Sequence, residues 1–129
     1  MNNFDQTAIE DAIGDVLYEA GVSANVFHNR PKSSTKDLAD FVVCRVTGTI
    51  RDLAAIGQGF ISVSLFAKDL ANMKNTKKLS VMQEKTIRSI PGSIGEIIID
   101  NRPNVLGDTP DGNGYHARII EFSIIIKTA

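Results

Sequence analysis

The stretch His116-Ala117-Arg118-Ile119-Ile120-Glu121-Phe122-Ser123-Ile124-Ile125-Ile126-Lys127 decides the fold. Ile120, Phe122, Ile124 and Ile126 recur at a period of two, so they share one face of an extended strand. The opposite face carries Glu121, Ser123 and Lys127, and Ile119 and Ile125 add apolar surface there. Such a strand needs full cover on one side and partial cover on the other. The pattern places it deep in a sheet, with helices packed on its apolar side.

Working outward, residues 103–114 are rich in Pro, Gly, Asn and Asp and read as a loop. Residues 96–101 read as a strand through Ile97, Ile98 and Ile99, pairing antiparallel with the final strand across that loop. Further upstream, Val42, Cys44, Val46, Gly48 and Ile50 alternate, as do Ile61, Val63, Leu65 and Ala67. Residues 41–67 therefore form a hairpin. Its connection, residues 51–58, is unusually apolar because of Leu53, Ala54, Ala55 and Ile56. Loops normally face water, so this segment either tucks onto its own domain or forms an arm that a partner covers.

Two helices complete the pattern. Ile9, Ala12, Ile13, Val16, Leu17 and Ala20 make a helical stripe, with Thr7 and Glu10 spaced as a capping box and Gly21 at the stop. A short strand follows within residues 22–30, ended by Pro31. The second helix runs from Thr76, as N-cap, to Ile90, before Pro91-Gly92. The expected fold class is α+β, a single domain over residues 1–129. It has a mainly antiparallel sheet of about five strands and two helices on one face.

Composition bounds the function. With 129 residues, 43% apolar and 22% charged, the chain can bury a useful core without disulfides or metal. The net charge of -1 argues against a general nucleic-acid binder, and a single cysteine, Cys44, excludes an internal disulfide. Neither a secretory signal nor an apolar run long enough to span a bilayer is present, so the expectation is a cytoplasmic protein with no membrane partner.

Catalytic signatures are missing: there is no phosphate loop, dinucleotide fingerprint or nucleophile elbow. His28 and His116 lack metal-ligand spacing, and Cys44 shares its alternating face with Val42 and Val46, as a small buried hydrophobe does. Asp108, Asp111 and Asn113 lie among glycines but do not follow an EF-hand pattern. The expectation is a protein without catalytic residues, cofactor or metal. A small enzyme would need His28, His116 and Asp100 to converge.

Charge is segregated instead. Residues 5–19 carry only acids, including Asp11 and Asp15. Residues 68–88 are mainly basic, including Lys74, Lys77, Lys78, Lys85 and Arg88. Two solvated helix faces would account for this. Complementary surfaces meeting between copies of the chain are the sharper alternative, with Asp11 and Asp15 facing Lys77 and Lys78 of a neighbour.

The layout resembles that of the tail terminator, or tail completion, proteins of long-tailed phages and prophages. The resemblance is carried by the acidic N-terminal helix ending near Gly21 and the short strand Val26-Phe27-His28-Asn29-Arg30-Pro31. It continues through the hairpin, whose second strand Ile61-Ser62-Val63-Ser64-Leu65-Phe66-Ala67 leads into the basic helix, to the lead Tyr115-His116-Ala117-Arg118 of the last strand. These are patterns of element order rather than fixed motifs. The resemblance implies a structural assembly protein with no catalytic residues. It implies a homo-oligomeric ring, usually a hexamer, that caps the tail tube and joins it to the head connector, with DNA only as passing cargo. Such a protein is made in the host cytoplasm and ends in the virion. Leu53, Ala54, Ala55 and Ile56 would then be an arm in ring contacts. A monomeric protein-binding or regulatory module is the alternative.

Overall fold

The computed structural model describes residues 6–28, 38–49, 56–95 and 97–127. Helix α1, Gln6–Glu19, buries Ile9, Ile13 and Leu17 from its apolar stripe, and Gly14 is buried with them. It stops where Gly21 turns to a positive φ of 75°. There the Gly21 N–H reaches the Tyr18 carbonyl and the Val22 N–H the Leu17 carbonyl, both at 3.1 Å. That pair of bonds satisfies carbonyls the helix end would otherwise leave open. Helix α2, Thr76–Ser89, buries Leu79, Met82 and Thr86. Its cap is Asn75, whose side-chain oxygen accepts from the Lys78 N–H at 3.2 Å, rather than the expected Thr76.

Among the described residues, seven strands follow the order β1 (Val26–His28), β2 (Asp40–Thr49), β3 (Ile56–Lys68), β4 (Ser93–Ile94), β5 (Ile97–Ile99), β6 (Asn104–Pro110) and β7 (Tyr115–Lys127). In space they run β1-β2-β3-β7-β5-β4, with β6 also paired to β7. The class is α+β as expected, but the sheet has more than five strands and is mixed. β1 lies parallel to β2, with Val26 beside Val42 and His28 beside Cys44. The other described pairs are antiparallel.

β7 is the hub. One edge pairs with β3 along its whole length, from Lys68 beside Tyr115 to Ile56 beside Lys127. Its other edge is shared between β6, from Asn104 beside Glu121, and β5, from Ile97 beside Ile126. The predicted 103–114 loop is thus largely strand. A shift in register separates Leu106 and Thr109 within β6, and the chain turns at residues 111–114.

Both helices lie on one face, as the alternation of β7 requires. Ile13, Leu17, Val42, Val46, Ile61, Val63, Leu79, Ile120 and Phe122 form one buried cluster. A second, smaller core sits on the opposite face at one end of the sheet. Phe41 stacks on Phe66 with ring centroids 4.4 Å apart and meets Tyr115 edge-on at 5.2 Å. The Tyr115 hydroxyl donates to the Leu38 carbonyl at 2.6 Å, so its polar end is satisfied.

Candidate assembly surface

The helix-free face changes character along the strands. Beyond the Phe41 cluster it carries Ser62 and Ser64 on β3, and Glu121 and Ser123 on β7. At the far end it becomes apolar again. Ile98 of β5 lies directly beside Ile125 of β7, and Phe60 of β3 lies diagonal to Ile125, one pair along from Gln58. Phe60 is 44% exposed, Ile125 43% and Ile98 39%. Three large apolar side chains on adjoining strands form a contiguous patch rather than scattered surface hydrophobes. An open groove of about 600 Å³ runs beside them, lined by Thr47, Gln58, Gly59, Phe60, Ser123, Ile124 and Ile125.

The cause is geometric. β3 and β7 each have two faces, and the helices cover only one. At the Phe41 end an aromatic cluster fills the second face, but at the Phe60 end no described residue does.

The arm residues Leu53, Ala54 and Ala55 lie outside the described residues, and Ile56 opens β3. The segregated charges are displayed less simply than the sequence suggested. Asp11 and Asp15 are exposed on α1, and Lys77 is exposed on α2. Lys78, by contrast, is paired with Asp40 at 2.7 Å. Lys85 donates to the Gly21 carbonyl at 3.3 Å, so the basic helix caps the end of α1 in its own subunit. Arg88 pairs with Glu84 one turn away, and Lys74 lies 3.2 Å from Asp108.

Several polar groups that could carry chemistry are engaged in contacts within the fold. Asp108 receives the Arg118 guanidinium in a two-pronged contact, Nε to Oδ1 at 2.6 Å and Nη2 to Oδ2 at 2.9 Å. Hydrogen bonding from Arg118, with Lys74 beside it, lowers the Asp108 carboxyl to a pKa of about 2. Arg118 also donates to Ser80 and Gln83, tying β7 to α2. Asp111 accepts from the Asn113 and Tyr115 N–H groups, which is turn chemistry. His116 lies 2.7 Å from Asp69, and Asp100 accepts from Arg102.

His28 and His116 sit on β1 and β7, separated by β2 and β3, while Asp100 follows β5 beside Ser123 at the other end of β7. The three do not converge. Burial, with Glu10 nearby, pushes the Cys44 thiol up to about 12, which opposes thiolate formation at neutral pH. Among the described residues, no group of three or more His, Cys, Asp or Glu side chains is placed to hold a metal ion. Among the same residues, no helix is long and apolar enough to cross a membrane.

No family model matches the sequence, and no curated protein matches it. Among the solved structures that are similar in fold, one has a TM-score of 0.68 at 13% identity, covering 95% of this chain and 93% of its own. At that identity the likeness concerns architecture alone: the α+β arrangement described above extends over nearly the whole of both chains.

Proposed function

We propose that the chain is a structural assembly protein, a subunit of a homo-oligomeric ring that caps a phage or prophage tail tube and joins it to the head connector. The observation that carries this proposal is the apolar end of the helix-free sheet face. Phe60, Ile98 and Ile125 are held on rigid strands and left half-open to water. Covering such surface is favourable by roughly 25 cal/mol for each Å² removed from water. In an assembled particle a neighbour supplies that cover. The element order, with an acidic α1 and a basic α2, adds support. Assembly would take place in the host cytoplasm and the product would be the virion. DNA would pass through the ring without being read.

The test is the mass and shape of the purified chain, alone and mixed with its tail-tube protein, by native mass spectrometry and electron microscopy. The expected result is a ring, six subunits in the simplest case, formed alone or on the tube end. A chain that stays monomeric both alone and in the mixture, and leaves the tube end bare, overturns the proposal. A monomer that captures one unrelated protein would mark a binding module instead.

A further inference from the structure

We infer that α1 of one copy docks on the helical layer of the next: the outer stripe Asp11, Asp15 and Tyr18 seats in the groove between α2 and the turn that follows α1. This contact rests on the ring proposed above and supplies its subunit joint. The groove measures about 450 Å³, and its lining includes Gly21, Val22, Lys77, Lys78, Val81 and Lys85. Val22 and Met82 are buried and supply apolar wall, while Val81 is 46% exposed. Lys77, Lys78 and Lys85 give the groove a cationic lining against the single carboxylate of Asp40. Lys78 and Lys85 are already held by Asp40 and by the Gly21 carbonyl. Ordering them on binding therefore costs less than ordering free lysines.

The docking stripe has the opposite charge and a matching centre. Asp11, Asp15 and Tyr18 are spaced i, i+4 and i+7, so they form one ridge on the exposed side of α1. Tyr18 is 60% exposed, a large aromatic group with carboxylates beside it. A tyrosine inserted at an apolar centre, with acids meeting a lysine rim, is the arrangement expected of a protein–protein anchor. Charge complementarity selects a second copy as the occupant, because this chain carries both halves. Ridge and groove are different surfaces, so the contact repeated head to tail generates a ring when the rotation closes.

The experiment is sedimentation velocity of the full chain at low and high salt, comparing wild type with Asp15→Lys, Lys77→Asp, the double variant and Tyr18→Ser. All three positions are exposed, and circular dichroism checks that each variant is folded. Each single charge reversal is expected to weaken self-association about tenfold, and the double variant to recover most of that loss. Tyr18→Ser is expected to weaken it at every salt concentration. Self-association unchanged in the single variants, or a double variant no better than either single, overturns the contact while leaving the ring in place. A salt-sensitive closed dimer that follows the variant pattern keeps the contact and overturns the ring. A wild-type chain that self-associates neither alone nor on the tube end overturns the contact as a joint between copies.

Discussion

The Glu10 carboxylate accepts a hydrogen bond from the backbone N–H of Val46 at 2.8 Å, although the two residues belong to different layers of the fold. Among the described residues the pairing of β1 with β2 reaches Cys44 and stops short of Val46. A buried N–H without a partner costs free energy, and the acid on α1 supplies the acceptor. Glu10 is therefore buried, whereas its spacing from Thr7 had pointed to a capping box. Glu10→Ala is expected to lower stability by about 1–3 kcal/mol, and Glu10→Gln, which keeps an acceptor, by less. Chemical denaturation of the two variants checks the order, and an Ala variant as stable as wild type would refute it.

The Asp108–Arg118 contact sets an acid dependence. The Asp108 carboxyl titrates lower in the folded chain, at about 2, than its ordinary value of 3.8. Its contribution is thus fully present above the unfolded value and is lost as pH falls through the folded one. At neutral pH, Asp108→Asn is expected to cost about 1–2 kcal/mol, screening by nearby solvent included. The gap between wild type and variant stays flat above about pH 5 and closes between about 4 and 2. Stability measured against pH for both proteins tests this, and a gap that does not narrow in acid would refute it.

The turn between β3 and α2 is held in a demanding conformation. Leu70 and Met73 form a two-way backbone bridge, and between them Ala71 and Asn72 take positive φ values of 49° and 65°. Left-handed backbone is awkward for alanine and tolerated by asparagine. Ala71→Gly is therefore expected to stabilise the chain by about 0.5–1 kcal/mol, because the relief of strain exceeds glycine's entropic cost. Thermal melts check it, and a destabilised variant would show that the alanine side chain matters in another way.

The apolar end of the helix-free face predicts a separation of assembly from stability. Phe60→Ser with Ile125→Ser removes side chains that are already half-exposed. On the function proposed above, the double variant is expected to lose assembly with the tail tube while its folding stability falls by roughly 2 kcal/mol, the worth of two half-buried large side chains. Co-sedimentation with tubes and a denaturation curve on the same preparation decide it.

The parts of the fold set by alternation were legible in the sequence. Ile120, Phe122 and Ile124 on β7, and Ile61, Val63 and Leu65 on β3, face the helices as their spacing requires. β6 was not legible, because Asn104–Pro110 holds a proline and a glycine and is exposed at nearly every position. It becomes a strand because the edge of β7 offers it hydrogen bonds, a tertiary cause with no local periodicity. The parallel pairing of β1, which spans three residues, was equally beyond a local pattern. At the candidate surface the charge asymmetry could be read, but not which lysines were engaged. Lys78 meets an aspartate 38 positions away, and Lys85 meets a carbonyl 64 positions away. The apolar patch was foreshadowed by Ile125 alone, since Phe60 and Ile98 join it only through strand order.

The double engagement of β7 also bears on how the chain reaches its native state. During synthesis β3 emerges well before β7, with α2, β4, β5 and β6 between them. Until β7 arrives, one edge of a 13-residue strand stays open, beside a hairpin that can form early. That edge can pair with the wrong strand, including the same strand of another nascent chain. The ladder that completes the sheet is also its most distant in sequence, so closure should be slow. Ser62 and Ser64, polar residues on the later-uncovered side of β3, keep the waiting strand from being apolar on both faces.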